Sequence, residues 1–169
     1  ARTAALKASE TLVRLITENS SNFSRAKEAI EKGDKPVVLH NLEGSALALV
    51  AAGLREKLRR PVMVLTAGGE RWAQLVDDLE FFGVETAYHY PKWEVLPYDE
   101  EDLSLEVTAK HLDVFETLSL ARAGKLGNAA FMLCATVDAM MQKVLPAERL
   151  ESLTVRFAWG DQLDLEKLT

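Results

Sequence analysis

Cysteine is nearly absent from these 169 residues. There is one, Cys134, so no disulfide can form within the chain. It lies in the apolar run 129–135, where a buried and unreactive thiol is expected, in keeping with a reducing compartment. Basic charge is also short: 20 Lys and Arg stand against 26 Asp and Glu, a net charge of −6. That excludes a broad basic face for gripping nucleic acid. The cluster Arg55, Lys57, Arg59 and Arg60 falls at the end of an expected helix, where cations complement the macrodipole. No apolar run approaches the roughly 18 residues of a membrane span, so no membrane partner is expected. The first fifteen residues mix Arg2, Lys7, Glu10 and Arg14 with apolar positions and show no signal-peptide pattern, and a cytoplasmic location is expected. Aromatics make up only 7%, so Trp93, Tyr98 and Trp159 stand out as candidate anchors.

Apolar content is ample at 48%, and it alternates between short continuous runs and helical stripes. Residues 3–18 and 23–32 read as two opening helices, the first with Leu12, Leu15 and Ile16 on one face. Residues 37–40, 62–66, 85–90 and 130–135 read as strands covered on both sides, with His40 a core residue. Between them run helices over 44–58, 70–82 and 105–123. The first carries Leu47, Val50, Ala51, Leu54 and Leu58 on one stripe, the second Trp72, Leu75, Val76, Leu79 and Phe82 with Gly83 as C-cap, the third Leu105, Leu112, Phe115 and Leu118 inward. A short helix is expected over 136–144, then an alternating strand over 154–157 that carries the chain toward Trp159. The alternation predicts an α/β fold, a parallel sheet flanked by helices. The change of strand character near 146–153 marks a domain boundary. The expected division is a helical extension 1–35, a main domain 36–150 and the start of a small α+β domain at 151–169. The chain opens without methionine and stops inside an apparent helix start, and reads as part of something longer.

The segment from Val37 to Ala46 has the layout of a phosphate-binding strand, turn and helix. A working P-loop, G-x-x-x-x-G-K-[ST], supplies backbone N–H groups, a lysine for the phosphates and a hydroxyl for magnesium. Here Gly44 keeps the second glycine, Ser45 replaces the lysine, Ala46 replaces the hydroxyl, and Leu39 stands for the first glycine. The loop is a vestigial one, with no catalytic, cofactor or metal residues expected. Gly44 and Ser45 at a helix start still offer N–H groups to an anion. The acids 99–102 with His89 and His111 lack the fixed spacing of a metal site; acids before a helix favour its N-terminus. Trp93, Pro97 and Tyr98 fit either a partner contact or a pin holding an irregular loop to the sheet. Trp159 fits a domain contact and a partner contact equally.

Residues 93–100, WEVLPYDE, followed by Glu106 and by Lys110-His111-Leu112, resemble the W-[DE]-x-L-P-Y-[DE] … E-x-x-x-x-R-L segment near the N-terminus of the bacterial transcription-repair coupling factors. Gly44-Ser45-Ala46, the strand 61–66, the stretch 131–146 ending Gln142-Lys143-Val144-Leu145-Pro146, and 157–164 are similar to that family in the same order. Cys134-Ala135-Thr136 departs from its usual small-Pro pattern. The likeness spans about residues 36–168. That family region itself is similar to the excinuclease component UvrB, which keeps a true P-loop and a tyrosine-rich hairpin; this chain has neither. The resemblance implies a degenerate RecA-like domain and the start of a second domain that recruits the excinuclease component UvrA. It implies a whole protein that is an ATP- and Mg-dependent DNA translocase in nucleotide-excision repair, acting on stalled RNA polymerase, of which this stretch is a non-catalytic module. Alternatives are an active nucleotide-binding α/β enzyme and a helicase of the UvrB type.

Overall fold

The computed structural model describes residues 2–33, 35–68, 70–84, 87–93, 104–126 and 130–160. Among these residues ten elements follow one another: α1 (Arg2–Asn19), α2 (Ser21–Lys32), α3 (Ala46–Leu58), β1 (Val62–Thr66), α4 (Glu70–Phe81), β2 (Ala87–Tyr90), α5 (Leu105–Arg122), β3 (Met132–Thr136), α6 (Val137–Met140) and α7 (Ala147–Leu153). The three strands form one parallel sheet in the order β1-β3-β2, with Val64 and His89 both opposite Cys134. The α/β architecture with helices on both faces is thus the expected one. Among the described residues no helix is long and apolar enough to cross a membrane.

Strand alternation divides the core in two. Val64, Met132 and Cys134 face α1, α3 and α4, packing with Val13, Ala48, Ala51, Leu75 and Leu79. Leu133, Ala135 and Tyr90 face the other way, onto Val114 of α5 and Ala139 of α6. Every residue of β3 is buried, as befits a central strand, whereas Met63 and Leu65 on the edge strand β1 stay half exposed. Local signals set the ends. Ser20 caps α2, its hydroxyl accepting the Phe23 N–H at 3.2 Å. Gly83 ends α4 at φ 77°, a backbone state glycine adopts freely, with its N–H on the Glu80 carbonyl and the Val84 N–H on the Leu79 carbonyl.

Five expectations are corrected. Residues 37–40 are extended but pair with no strand; Val38 is 67% exposed and His40 is a surface residue. A four-residue apolar run says only that the segment is extended. Here it lines a groove with α2 on the other side, and β1 takes its ladder from β3 alone. Residues 154–157 likewise form no strand, and the preceding stretch folds as α7, so Trp159 sits in an exposed turn. Leu12 and Leu15 point outward while Ser9, Val13 and Thr17 are buried, because α1 crosses α3 closely enough to need small and β-branched residues. On α5 the buried positions are His111, Val114 and Thr117, whereas Leu105, Leu112 and Leu118 are exposed. Apolar residues surround this helix, so periodicity alone does not choose its face. The helix expected over 136–144 also stops early, at Met140.

Candidate functional site

Two places answer to the residues singled out in the sequence. The first is the turn before α3. Asn41 takes φ 60° and Gly44 φ 53°, and the Ala46 N–H closes the turn on the Glu43 carbonyl at 3.1 Å. Ser45 sits at the N-cap with helical dihedrals and makes no side-chain capping bond. Gly44 is exposed and open space surrounds the position of its missing Cβ, so its role is the left-handed backbone, not a close approach. Phosphate loops owe their grip to a strand that fixes the loop against the sheet and to a lysine that reaches the phosphates. Here the leading segment 37–40 is outside the sheet, and Ser45 and Ala46 carry no cation. The turn offers backbone N–H groups and nothing to neutralise a triphosphate.

The second place is the carboxyl end of β2, where α/β sheets hold their ligands. The His111 ring, 2% exposed, lies between Tyr90, stacked at 4.1 Å, and Trp93, tilted at 4.1 Å. His111 Nε2 donates to the Pro91 carbonyl at 2.6 Å. Gln142 then grips Trp93 from the opposite side: the Trp93 N–H donates to Oε1 at 2.8 Å, and Nε2 donates to the Trp93 carbonyl at 3.3 Å. Lys92 pairs with Asp138 at 3.4 Å on the surface. The Asp138 carboxyl is held below the usual range, first by the Thr136 hydroxyl and then by Lys92 and the Ala139 N–H. The segment leaving β2 is therefore held at three consecutive positions, 91–93, by the side chains of His111 on α5, Asp138 on α6 and Gln142 just beyond α6.

Burial raises the Tyr90 phenol and lowers the nearby His89, to which Lys110 adds a like-charge push. Neither group faces a nucleophile or a metal-ligating cluster; among the described residues no group of three His, Cys, Asp or Glu converges on a cation position. Cys134 lies in the central strand β3 with its thiol pushed up to about 11 by burial, which makes it inert at neutral pH. The arrangement holds a loop in place and has no acid–base or nucleophilic set among these groups.

Two curated proteins are similar along most of the chain. The transcription-repair-coupling factor of Escherichia coli (strain K12) is 23% identical over 137 residues, 81% of this chain and 11% of that protein. The transcription-repair-coupling factor of Myxococcus xanthus is 28% identical over 153 residues, 86% of this chain and 12% of that protein. This chain is similar to the transcription-repair-coupling factors along most of its length. It spans little more than a tenth of the length of either coupling factor. No family model matches the chain, and no solved structure does.

Within this chain the candidate residues lie at separate places. Gly44, Ser45 and Ala46 form the turn and first helical residue at α3. Trp93 is half-buried in the His111–Gln142 clamp, while Pro97 and Tyr98 fall outside the described residues, as do the acids 99–102. Trp159 is fully exposed. Sequence reading singled out Trp93 but missed Gln142 and assigned His111 no structural role. The available signal was the position of Gln142 a short way past the apolar run 130–135, near the carboxyl end of a parallel sheet, where a polar side chain meets the neighbouring strand's exit.

Proposed function

We propose that this chain forms an N-terminal, nucleotide-free module of a transcription-repair-coupling factor, on a RecA-like frame that keeps the shape of a phosphate loop without its chemistry. The observation that carries the reading is the similarity to both coupling factors over 81% and 86% of the chain. The loop supports its silent half: Ser45 and Ala46 stand where a lysine and a hydroxyl would be needed, and 37–40 does not brace the turn. On this reading 36–150 is the frame, 1–35 a helical extension, and 151–169 opens a second domain that recruits the excinuclease component UvrA. The whole protein would act in the cytoplasm as an ATP- and Mg-dependent DNA translocase. Its contacts with DNA and stalled RNA polymerase, and its handover to nucleotide-excision repair, would rest mainly on other regions.

Isothermal titration with Mg-ATP tests the silent half: no heat of binding is expected, and micromolar affinity or any hydrolysis would instead favour an active nucleotide-binding enzyme. Recruitment is tested by pull-down of UvrA with a longer chain carrying the complete second domain. Capture is the expected result, and its failure would count against the family role.

A further inference from the structure

The unpaired segment 37–40 faces a groove of about 690 Å³. Its opposite wall is α2, where Phe23, Ala26 and Ala29 leave a shallow apolar floor continued by Val50 of α3. Among the described residues the backbone N–H and C=O groups of 37–40 make no hydrogen bond, in the sheet or outside it. An extended apolar backbone with unused donors and acceptors beside a helix is the geometry of strand addition: a guest peptide pairs with the backbone, and its alternate side chains fall into the groove. The rim fixes the guest's charge. Arg25 and Lys32 stand seven residues apart on α2, two turns along one face, and neither forms an ion pair among the described residues. Glu28 is the single acid lining the groove, on a chain whose net charge is −6.

We propose that this groove takes an extended acidic peptide segment of a partner protein, which adds as a strand to residues 37–40 with its carboxylates toward Arg25 and Lys32. A continuous row of backbone groups suits a peptide better than a compact ligand, whose polar contacts converge on one point. The cationic rim disfavours self-pairing, since a second copy would bring Arg25 and Lys32 against their own kind.

The probe is a fluorescein-labelled seven-residue peptide alternating valine with glutamate, blocked at both ends. It is titrated by fluorescence anisotropy against the 169-residue chain. Saturable binding is expected, weakened about tenfold by Arg25→Glu with Lys32→Glu. Because successive N–H groups of a strand point to opposite edges, one of Val38→Pro and Leu39→Pro abolishes binding and the other spares it. None of the four positions lies in the core, so an unchanged far-UV circular dichroism spectrum keeps the comparison valid. A peptide with lysine in place of glutamate is expected not to bind, and of the two peptides N-methylated at alternate residues one is expected to lose binding and the other to keep it. The proposal is overturned by no saturation at millimolar peptide, by equal affinity for the lysine peptide, or by indifference to both prolines. A concentration-dependent dimer of this chain that Val38→Pro or Leu39→Pro dissolves, seen by sedimentation, would give the groove to a second copy and overturn it equally.

Discussion

Gly53 decides how closely α1 and α2 approach α3. A Cβ there would stand 2.9 Å from Thr17 Cγ2 and 3.1 Å from the Phe23 ring, both buried. Alanine is the better helix former by about 1 kcal/mol, but crowding a packed site costs about 1–3 kcal/mol. Gly53→Ala is therefore expected to lower unfolding stability in urea, and Thr17→Ser, which removes the offending methyl, to recover part of the loss in the double variant. Equal stability of Gly53→Ala and the parent would show that the helices shift freely. Cys134 gives a second residue-scale prediction, in pH. Its thiol moves from an ordinary 9.0 up to about 11 in the folded chain because burial penalises the thiolate. Below pH 9 both states keep the proton and the full stability is present. Between pH 9 and 11 the unfolded chain loses a proton that the folded chain retains, so stability falls as pH rises. The loss approaches about 3 kcal/mol at the top of that window. Tyr90, raised by burial, works in the same direction at alkaline pH. Cys134→Ala is expected to flatten the stability–pH curve between pH 9 and 11, measured by urea unfolding; an unchanged slope would mean that the thiol ionises freely.

At the scale of elements, a working phosphate loop needs a braced strand as well as the right side chains. Installing Ser45→Lys and Ala46→Thr restores the missing lysine and hydroxyl, yet 37–40 still lies off the sheet and the turn stays exposed. The expected outcome is no Mg-ATP binding by calorimetry; micromolar affinity would mean that side chains alone had been lacking. The same region shows where reading stopped. Strands β1 and β3 and the helices between were legible because their apolar runs were bounded by Pro61, by the glycines 68 and 69, and by Gly83, each a local signal with a local cause. The pairing of 37–40 was not legible, because an extended run states a backbone shape while its partner is a tertiary fact. The buried face of α5 was hidden for a related reason: His111 and Thr117 are polar, and His111 is drawn inward by the Pro91 carbonyl, a tertiary contact that no periodicity encodes. At the candidate site, Trp93 stood out for its size, whereas Gln142 acts through two backbone hydrogen bonds with a residue 49 positions away.

On the scale of the whole molecule, the weight of packing ends early. Among the described residues neither lobe of the core contains a residue beyond Ala139, and Gln142 still ties distant parts together through Trp93. From Lys143 to Gly160 only Leu150 is even partly buried; Val144, Leu153, Val155 and Phe157 are half exposed and Trp159 wholly so. Helix α7 lies over α5 with open space of about 440 Å³ and 720 Å³ around Leu145 and Leu150, so it touches the body without closing on it. Burial of apolar area is the main source of stability, and this stretch contributes little of it. A chain ending at Lys143 keeps both core lobes, the three strands and the Gln142 clamp. It is expected to unfold cooperatively with a melting temperature within about 4 °C of the parent, the shift that roughly 1 kcal/mol produces at this size. It is also expected to be the more soluble of the two, since among the described residues it sheds six exposed apolar side chains that invite association: Val144, Leu145, Leu153, Val155, Phe157 and Trp159. Limited proteolysis checks the same division without mutation, with early cuts expected between 143 and 160 and a lasting fragment below them. A drop in melting temperature of more than about 10 °C on removing the stretch, or cuts falling first within α3 to β3, would mean that it belongs to the body.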